Sequence, residues 1–291
     1  IVVPVVVALS VTVAVSDGGR DAGPLPAVAW CVVVAFVVNW VAFVPAWVRR
    51  TEVFYDLTGS LTYLATSAVA LALGNRTPVS WLLAGLVAVW AGRLGSFLFA
   101  RVRDAGGDGR FDALKQDPLR FLMTWTMQGL WVSLTSLAAW TAMTVDVDGA
   151  RGTGGGEATG GDIGAVAVVG VLVWVLGFAI EAGADAQKRR FRQDPDSDRP
   201  FIDTGLWAWS RHPNYFGEIV LWSGVAVIAF PLLDGWRLVA LVSPVFVTLL
   251  LTRISGVPIL ERRAGKRWGD DPAYQHYVAT TPVLIPRPPR R

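Results

Sequence analysis

Cysteine and histidine are nearly absent from this chain of 291 residues, which contains one cysteine and two histidines. The single cysteine, Cys31, excludes an intrachain disulfide. Because only His212 and His276 accompany it, a zinc site built from histidine and cysteine is not expected. Charged residues are also scarce, at 17% of the sequence against 53% hydrophobic residues. The chain is therefore too apolar for a soluble domain of this length, and we expect the bilayer to be its solvent.

Long apolar runs occupy most of the chain. A helix needs roughly 20 mainly apolar residues to cross the bilayer. Seven runs meet this need, at residues 27–48, 54–73, 79–100, 119–144, 163–183, 214–233 and 236–252. A shorter run at residues 1–15 is either a further span, which we favour, or the remains of a signal segment. The sequence predicts an all-α, polytopic membrane helical bundle of seven or eight transmembrane helices, forming a single membrane domain over residues 1–291.

The basic residues are concentrated in four segments. Of the 26 lysine and arginine residues, 21 fall within residues 49–53, 101–120, 184–213 and 253–291. Because basic residues are enriched in cytoplasmic loops, these segments and the C-terminus are predicted to be cytosolic. They do not form one solvated stripe, so the net charge of +3 reflects topology, and nucleic-acid binding is rejected.

A glycine-rich stretch at residues 149–162 separates two apolar runs and contains seven glycines. A nucleotide-binding glycine loop needs a preceding strand and a following helix, whereas both neighbours here are predicted spans. The stretch is therefore interpreted as an outer linker. It divides a front half, residues 1–148, with substrate-side spans, from a cofactor-binding half, residues 163–291.

The most informative motif lies where a basic loop leads into an apolar run. It reads SRHPNYFGE over residues 210–218, and Pro213 fits the first turn of a helix. Helix spacing then places Asn214 and Glu218 one turn apart, with Tyr215 along nearly the same face. Because polar groups at the edge of hydrocarbon are costly unless paired, Glu218 is a candidate functional residue. The alternative is a polar clamp that only holds the helix bundle together.

A second polar group ends the preceding apolar run. Glu181, Asp185 and Arg192 are spaced by four and seven residues, so they share one helix face. Arg189 follows Asp185 by four residues, a spacing that also occurs in simple helix-stabilising pairs. Basic side chains in this region could surround a dinucleotide pyrophosphate and a 2'-phosphate, or could be ordinary positive-inside charges. This basic set comprises Lys188, Arg189, Arg190, Arg192, Arg211, Arg262 and Arg263.

Four strings carry a resemblance to a known family. They are ADAQ, DTGLWAWSRHPNYFGE, SGVPILE and the closing pattern Tyr-x-x-x-Thr-Pro-x-x-Ile-Pro. Together they resemble the bacterial branch of the steroid 5-alpha-reductase family. The resemblance runs from about Tyr55 to Ile285 and is dense from residue 174 onward.

The resemblance implies a bacterial inner-membrane protein whose cytosolic loops and C-terminal spans enclose NADPH. It also implies reduction of a carbon-carbon double bond conjugated to a carbonyl, in a lipophilic, steroid- or isoprenoid-like substrate. Asp185 and Arg192 match positions that hold the adenosine and phosphate portion of the cofactor. Asn214 matches an asparagine facing the cofactor, and Arg262 matches an arginine near the phosphates. The predicted cofactor-binding residues are Glu181, Asp185, Arg189, Arg192, Arg211, His212, Asn214, Tyr215 and Arg262.

The predicted catalytic residues are Tyr55, Asp56 and Glu218. Steroid enzymes of the family use a glutamate and a tyrosine on early spans to protonate the substrate carbonyl, and neither has a clear match here. Tyr55 and Asp56, at the start of an early run, are the candidate proton donors. A tyrosine is protonated at neutral pH, whereas an aspartate donates only if burial raises its pKa. No metal site is predicted.

Two other functions compete with the reductase. Isoprenylcysteine methyltransferases, which use S-adenosylmethionine, share an Arg-His-Pro-x-Tyr-x-Gly string, found here from Arg211 to Gly217. The ADAQ and SGVPILE strings favour the reductase. The second alternative is a non-catalytic lipid-binding membrane protein whose buried polar groups only specify helix packing.

Overall fold

A computed structural model describes residues 1–105, 109, 111–147, 161–194 and 199–289. Most of the regular structure in these residues is helical. In chain order the helices are α1 (Val2–Val15), α2 (Ala27–Val48), α3 (Tyr55–Leu73), α4 (Pro78–Ala105), α5 (Pro118–Thr144), α6 (Ala165–Gln193), α7 (Pro213–Ala229), α8 (Val242–Leu249), α9 (Gly256–Trp268) and α10 (Pro272–Thr280). Two-residue strands, β1 (Asp21–Ala22) and β2 (Leu25–Pro26), pair antiparallel between α1 and α2. Most of the predicted 149–162 linker lies outside the described residues.

The membrane class is confirmed, whereas the number of spans stays a prediction. Within the described residues, five helical stretches have the length and hydropathy to cross a bilayer: Ala27–Val48, Pro78–Ala100, Ala165–Gln193, Pro213–Leu232 and Gly235–Trp268. They coincide with five of the seven predicted runs. The other two runs form α3 and α5, whose many hydroxyl side chains lower their mean hydropathy.

Prolines fix the starts of several helices. Asp117 caps α5 by accepting hydrogen bonds from the backbone amides of Leu119 and Arg120, and Pro118 occupies the first helical position. Asp271 and Pro272 begin α10 in the same way. Proline suits this position because its fixed φ is helical and its missing N–H would have no partner within the helix.

The chain divides into two compact units. Unit 1 comprises Ile1–Val168 with Ala226–Ser243, and unit 2 comprises Val169–Val225 with Pro244–Arg291. In unit 1, α5 packs against α2 and α3 and is buried along most of its length. The threonines of α3 are buried there because their hydroxyls donate to carbonyls one turn back; Thr62 donates to the carbonyl of Thr58 over 2.7 Å. Such internal pairing lets a helix of modest hydropathy be buried.

In unit 2, α6 and α7 approach each other closely at glycines. A Cβ added to Gly217 would lie 2.5 Å from the backbone nitrogen of Glu181, and one added to Gly177 would lie 2.4 Å from that of Leu221. Only glycine permits such backbone proximity, as is common in membrane helix pairs. This packing holds the polar end of α6 against the start of α7.

Candidate functional site

Unit 2 contains a cavity of about 380 Å³. It is formed by the end of α6, the loop before α7, and helices α9 and α10. Its basic lining residues are Lys188, Arg192, Arg211, Arg263 and Arg267, and its aromatic ones, besides His212, are Phe191, Phe201, Trp207, Trp268, Tyr274 and Tyr277. We call the buried residues Phe201, Ile202, Trp207, His212 and Tyr274 the floor, and the exposed Arg192, Arg263 and Arg267 the rim. The cavity therefore combines a cationic entrance with an aromatic base.

The aromatic side of the cavity is a packed cluster. The ring of Phe201 lies 5.2 Å from that of Tyr274 and 5.4 Å from that of Tyr277, measured between centroids. The Tyr277 hydroxyl donates to the carbonyl of Trp207 over 2.8 Å, and the Lys188 ammonium lies 4.3 Å from the Trp207 ring centroid. Burial raises the pKa of both tyrosines, so they remain neutral at physiological pH. These contacts make a firm surface for a planar ring.

One carboxylate of α9 joins two residues of the SRHPNYFGE motif. Glu261 accepts a hydrogen bond from Nη1 of Arg211 at its Oε2, over 2.7 Å, and its Oε1 lies 2.7 Å from Nε2 of His212. The Arg211 side chain is only 10% exposed. The two oxygens of Glu261 thus tie the loop before α7 to the C-terminal helices.

The protonation state of His212 follows from its surroundings. Burial lowers the pKa of the imidazole, and Lys188 and Arg211 act in the same direction, against the raising effect of Glu261. The ring is therefore neutral near pH 7. A carboxylate oxygen only accepts hydrogen bonds, so the single ring hydrogen belongs on Nε2, and Nδ1 carries a lone pair.

Three polar atoms in this short stretch are buried without a hydrogen-bond partner from the described residues. They are Nε of Arg211, Nδ1 of His212 and Oδ1 of Asn214. Leaving such groups unpaired costs about 1–3 kcal/mol each. Arg211 and His212 line the cavity, so these two side chains bring unused hydrogen-bonding capacity to its wall.

Asp185 of α6 and Asn214 of α7 contact each other, so the two sequence motifs meet at this point. Nδ2 of Asn214 donates to Oδ1 of Asp185 over 3.3 Å. Asp185, Glu181 and Glu218 are all buried. The ring of Tyr215 stacks on that of His212, with a centroid distance of 5.6 Å and an interplanar angle of 10°.

Of the nine predicted cofactor residues, only Arg192, Arg211 and His212 line the cavity. Arg189 and Arg262 are exposed and lie outside the lining, and the lining also lacks Glu181, Asp185, Asn214 and Tyr215. On α9 the lining positions are 260, 261, 263, 264, 267 and 268, which follow the helical repeat. Sequence reasoning missed Glu261, Arg267 and the floor residues other than His212. The periodicity of α9 was the available signal, because it puts Arg263 and Arg267 on one face and Arg262 beside it.

The predicted proton donors belong to unit 1. The Tyr55 hydroxyl donates to the carbonyl of Thr124 over 3.1 Å, and its ring meets that of Trp125 edge-on. Asp56 lies in the first turn of α3. A helix N-terminus favours negative charge, which suits an acceptor better than a donor. Of the two residues, Tyr55 has the more suitable chemistry for proton donation.

Comparison with known proteins identifies similar sequences. The profile of a family described as "Protein of unknown function (DUF1295)" matches residues 42–281. Delta(14)-sterol reductase erg24 of Schizosaccharomyces pombe is 36% identical over 77 residues, covering 21% of this chain and 18% of the relative. Delta(14)-sterol reductase TM7SF2 of Mus musculus is 32% identical over 63 residues, covering 17% and 15%. The chain thus spans less than a fifth of the length of either relative. No solved structure matches it.

Proposed function

The chain belongs to the DUF1295 family, which is steroid 5-alpha-reductase-like, and we propose that it is a membrane-embedded NADPH-dependent reductase. Its proposed reaction is reduction of a carbon-carbon double bond conjugated to a carbonyl, in a lipophilic, sterol- or isoprenoid-like substrate. The similarity to two Delta(14)-sterol reductases supports a membrane reductase of a sterol-like substrate. The five apolar helical stretches are consistent with a substrate that is delivered by the bilayer.

The observation that carries the proposal is the cationic, aromatic cavity of unit 2. Five cationic side chains line one space of about 380 Å³, and two of its lining residues, Arg211 and His212, have a buried polar atom without a partner among the described residues. Phosphate groups suit guanidinium groups, and a planar base suits an aromatic surface. These residues therefore fit a phosphorylated nucleotide.

The chain's own residues would bind and orient the cofactor. Arg192, Arg263 and Arg267 at the rim would neutralise its phosphates. Glu261 holds Arg211 and His212 in fixed orientations, so their unpaired atoms are preorganised for the ligand. When bound, the nicotinamide would supply a hydride to the carbon beta to the carbonyl.

Tyr55 is the proposed proton donor because a phenol is protonated at neutral pH. Its hydrogen is engaged by the carbonyl of Thr124, so the hydroxyl would have to rotate toward a substrate oxygen. Asp56 is the weaker candidate. Glu218 is buried one turn after Asn214, and we propose that its carboxylate contributes to the polar surroundings of the cofactor.

Charge argues against the methyltransferase. S-adenosylmethionine carries a sulfonium cation and no phosphate, and the cavity lining, with five cations against the one carboxylate of Glu261, has a net positive charge that disfavours it. NADPH, with its pyrophosphate and 2'-phosphate, has the complementary charge.

Ligand titration of the detergent-purified chain tests the proposal, because a ligand that binds only the folded state raises apparent thermal stability. NADPH should stabilise the protein saturably, NADH less, and S-adenosylmethionine not at all. Arg267→Gln should weaken NADPH binding about tenfold, as expected for losing a charge-assisted hydrogen bond. Lys266→Gln is the matched control, since Lys266 is an adjacent exposed cation outside the cavity.

Three results would contradict the proposal. Stabilisation by S-adenosylmethionine alone would favour the methyltransferase. No response to any ligand would favour a non-catalytic protein. An equal loss of NADPH affinity in Arg267→Gln and Lys266→Gln would mean that only overall charge matters and would reject the assigned cavity.

A further inference from the structure

His212 is a deeply buried polar residue of the cavity, and only one of its two ring nitrogens has a hydrogen-bond partner among the described residues. It is 5% exposed and belongs to the floor. Its Nε2 is engaged by Glu261 at 2.7 Å, whereas Nδ1 is buried and has no hydrogen-bond partner among the described residues. The main-chain nitrogen of His212 donates to the Ser210 hydroxyl over 3.2 Å, and Tyr215 stacks on the ring. These contacts fix the position of the imidazole and leave Nδ1 without a hydrogen-bond partner among the described residues.

The protonation state of Nδ1 limits which groups it can bind. Since Nε2 carries the hydrogen that faces Glu261, Nδ1 of the neutral ring is an acceptor. Phosphate oxygens are also acceptors, so they cannot form a hydrogen bond with it. The positive charges of Lys188 and Arg211 lower the pKa of this ring, so they disfavour a second ring proton. A ligand group that pairs with Nδ1 must therefore donate a hydrogen.

The surroundings of His212 narrow the donor further. Phe201, Trp207 and Tyr274 form an aromatic surface that suits a planar ring. A nicotinamide dinucleotide carries NH2 groups on planar systems in two places, the adenine amino group and the nicotinamide carboxamide. We propose that His212 recognises the cofactor by accepting a hydrogen bond at Nδ1 from a planar NH2 group of the nucleotide, with Glu261 fixing the tautomer. This inference rests on the proposed function, because it needs a nucleotide in the cavity.

Two cofactor analogues and one pair of variants test the inference. The hypoxanthine analogue of NADPH lacks the adenine amino group, and the reduced 3-acetylpyridine analogue lacks the carboxamide NH2. Dissociation constants for NADPH and both analogues would be measured by calorimetry on the wild type, His212→Gln and His276→Gln. Glutamine at position 212 retains an N–H donor for Glu261, but its acceptor is an amide oxygen that does not coincide with the ring position of Nδ1. His276, the chain's other histidine, is exposed on α10 and controls for loss of an imidazole.

The wild type and His276→Gln should bind one analogue about tenfold more weakly than NADPH, the loss typical of one buried hydrogen bond. The analogue that binds more weakly identifies which NH2 group donates a hydrogen bond to His212. In His212→Gln, NADPH should bind about tenfold more weakly, and the two analogues should no longer differ from it.

Other outcomes overturn the inference. If the wild type binds NADPH and both analogues equally, no NH2 group is read, and the proposed function still stands. An equal loss for all three ligands in His212→Gln, with analogue discrimination retained, gives His212 a structural role only. If His212→Gln does not fold, the wild-type comparison alone still decides the first point. A wild type that binds none of the three rejects the proposed function itself.

Discussion

Replacing Glu261 with glutamine should destabilise unit 2 by about 2 kcal/mol. The side chain of Glu261 is 29% exposed, while its partners Arg211 and His212 are 10% and 6% exposed. Breaking a fully buried ion pair by removing one partner costs about 3–5 kcal/mol, and an exposed pair contributes about 0–1 kcal/mol. The three side chains are more buried than an exposed ion pair and less buried than a fully buried one, so we expect a cost between these two ranges. A glutamine amide can satisfy Arg211, but it turns an N–H toward His212, so the imidazole must change tautomer or lose its partner.

Equilibrium unfolding in detergent would measure this change in wild type, Glu261→Gln, Arg211→Gln and the double variant. Asp270→Asn is the control, because Asp270 is an exposed acid close to α9 and its loss should change stability by less than about 0.5 kcal/mol. The double variant should be less destabilised than the sum of the single variants, since both remove the same pair. Additive effects, or a Glu261→Gln loss no larger than that of the control, would refute this reasoning.

Two further predictions concern helix packing and pH. Gly217→Ala should destabilise the protein by about 2 kcal/mol or more, because the new Cβ would meet the α6 backbone at Glu181; Gly265→Ala, where nothing lies within 4 Å, should be neutral or stabilising in the same unfolding assay. The free energy of unfolding should fall as pH drops below about 6.5, since the unfolded chain takes up a proton that buried His212, facing Lys188, Arg211 and Glu261, resists. The loss should stop growing below the lowered folded-state pKa and be smaller in His212→Gln. A pH dependence identical in both proteins would contradict the assignment.

Local periodicity predicted the parts of the site that lie on single helices. Spacings of four and seven on α6, and the proline-started helix after the SRHPNYFGE motif, pointed to Asp185 and Asn214, and these side chains meet. The apolar runs likewise predicted helices at each of the seven places. Such inferences succeed because they depend only on helix geometry.

The remaining parts depend on contacts between segments far apart in sequence. Phe201 meets Tyr274 and Tyr277, and Arg211 and His212 meet Glu261 about fifty residues later. No local pattern encodes these pairings. Arg262 was predicted from its alignment in the resemblance, whereas the rotation of α9 directs Arg263 and Arg267 into the cavity instead. Fixing that rotation required the packed structure.

The central claim is that a phosphorylated nucleotide occupies the cavity of unit 2. Its most direct test is an experimental structure of the protein determined with saturating NADPH. We predict density for the cofactor in this cavity, with its phosphates at Arg192, Arg263 or Arg267 and a nitrogen of an NH2 group within hydrogen-bond distance of Nδ1 of His212. NADPH bound at another place, or a cavity that excludes it at saturation, would contradict the account.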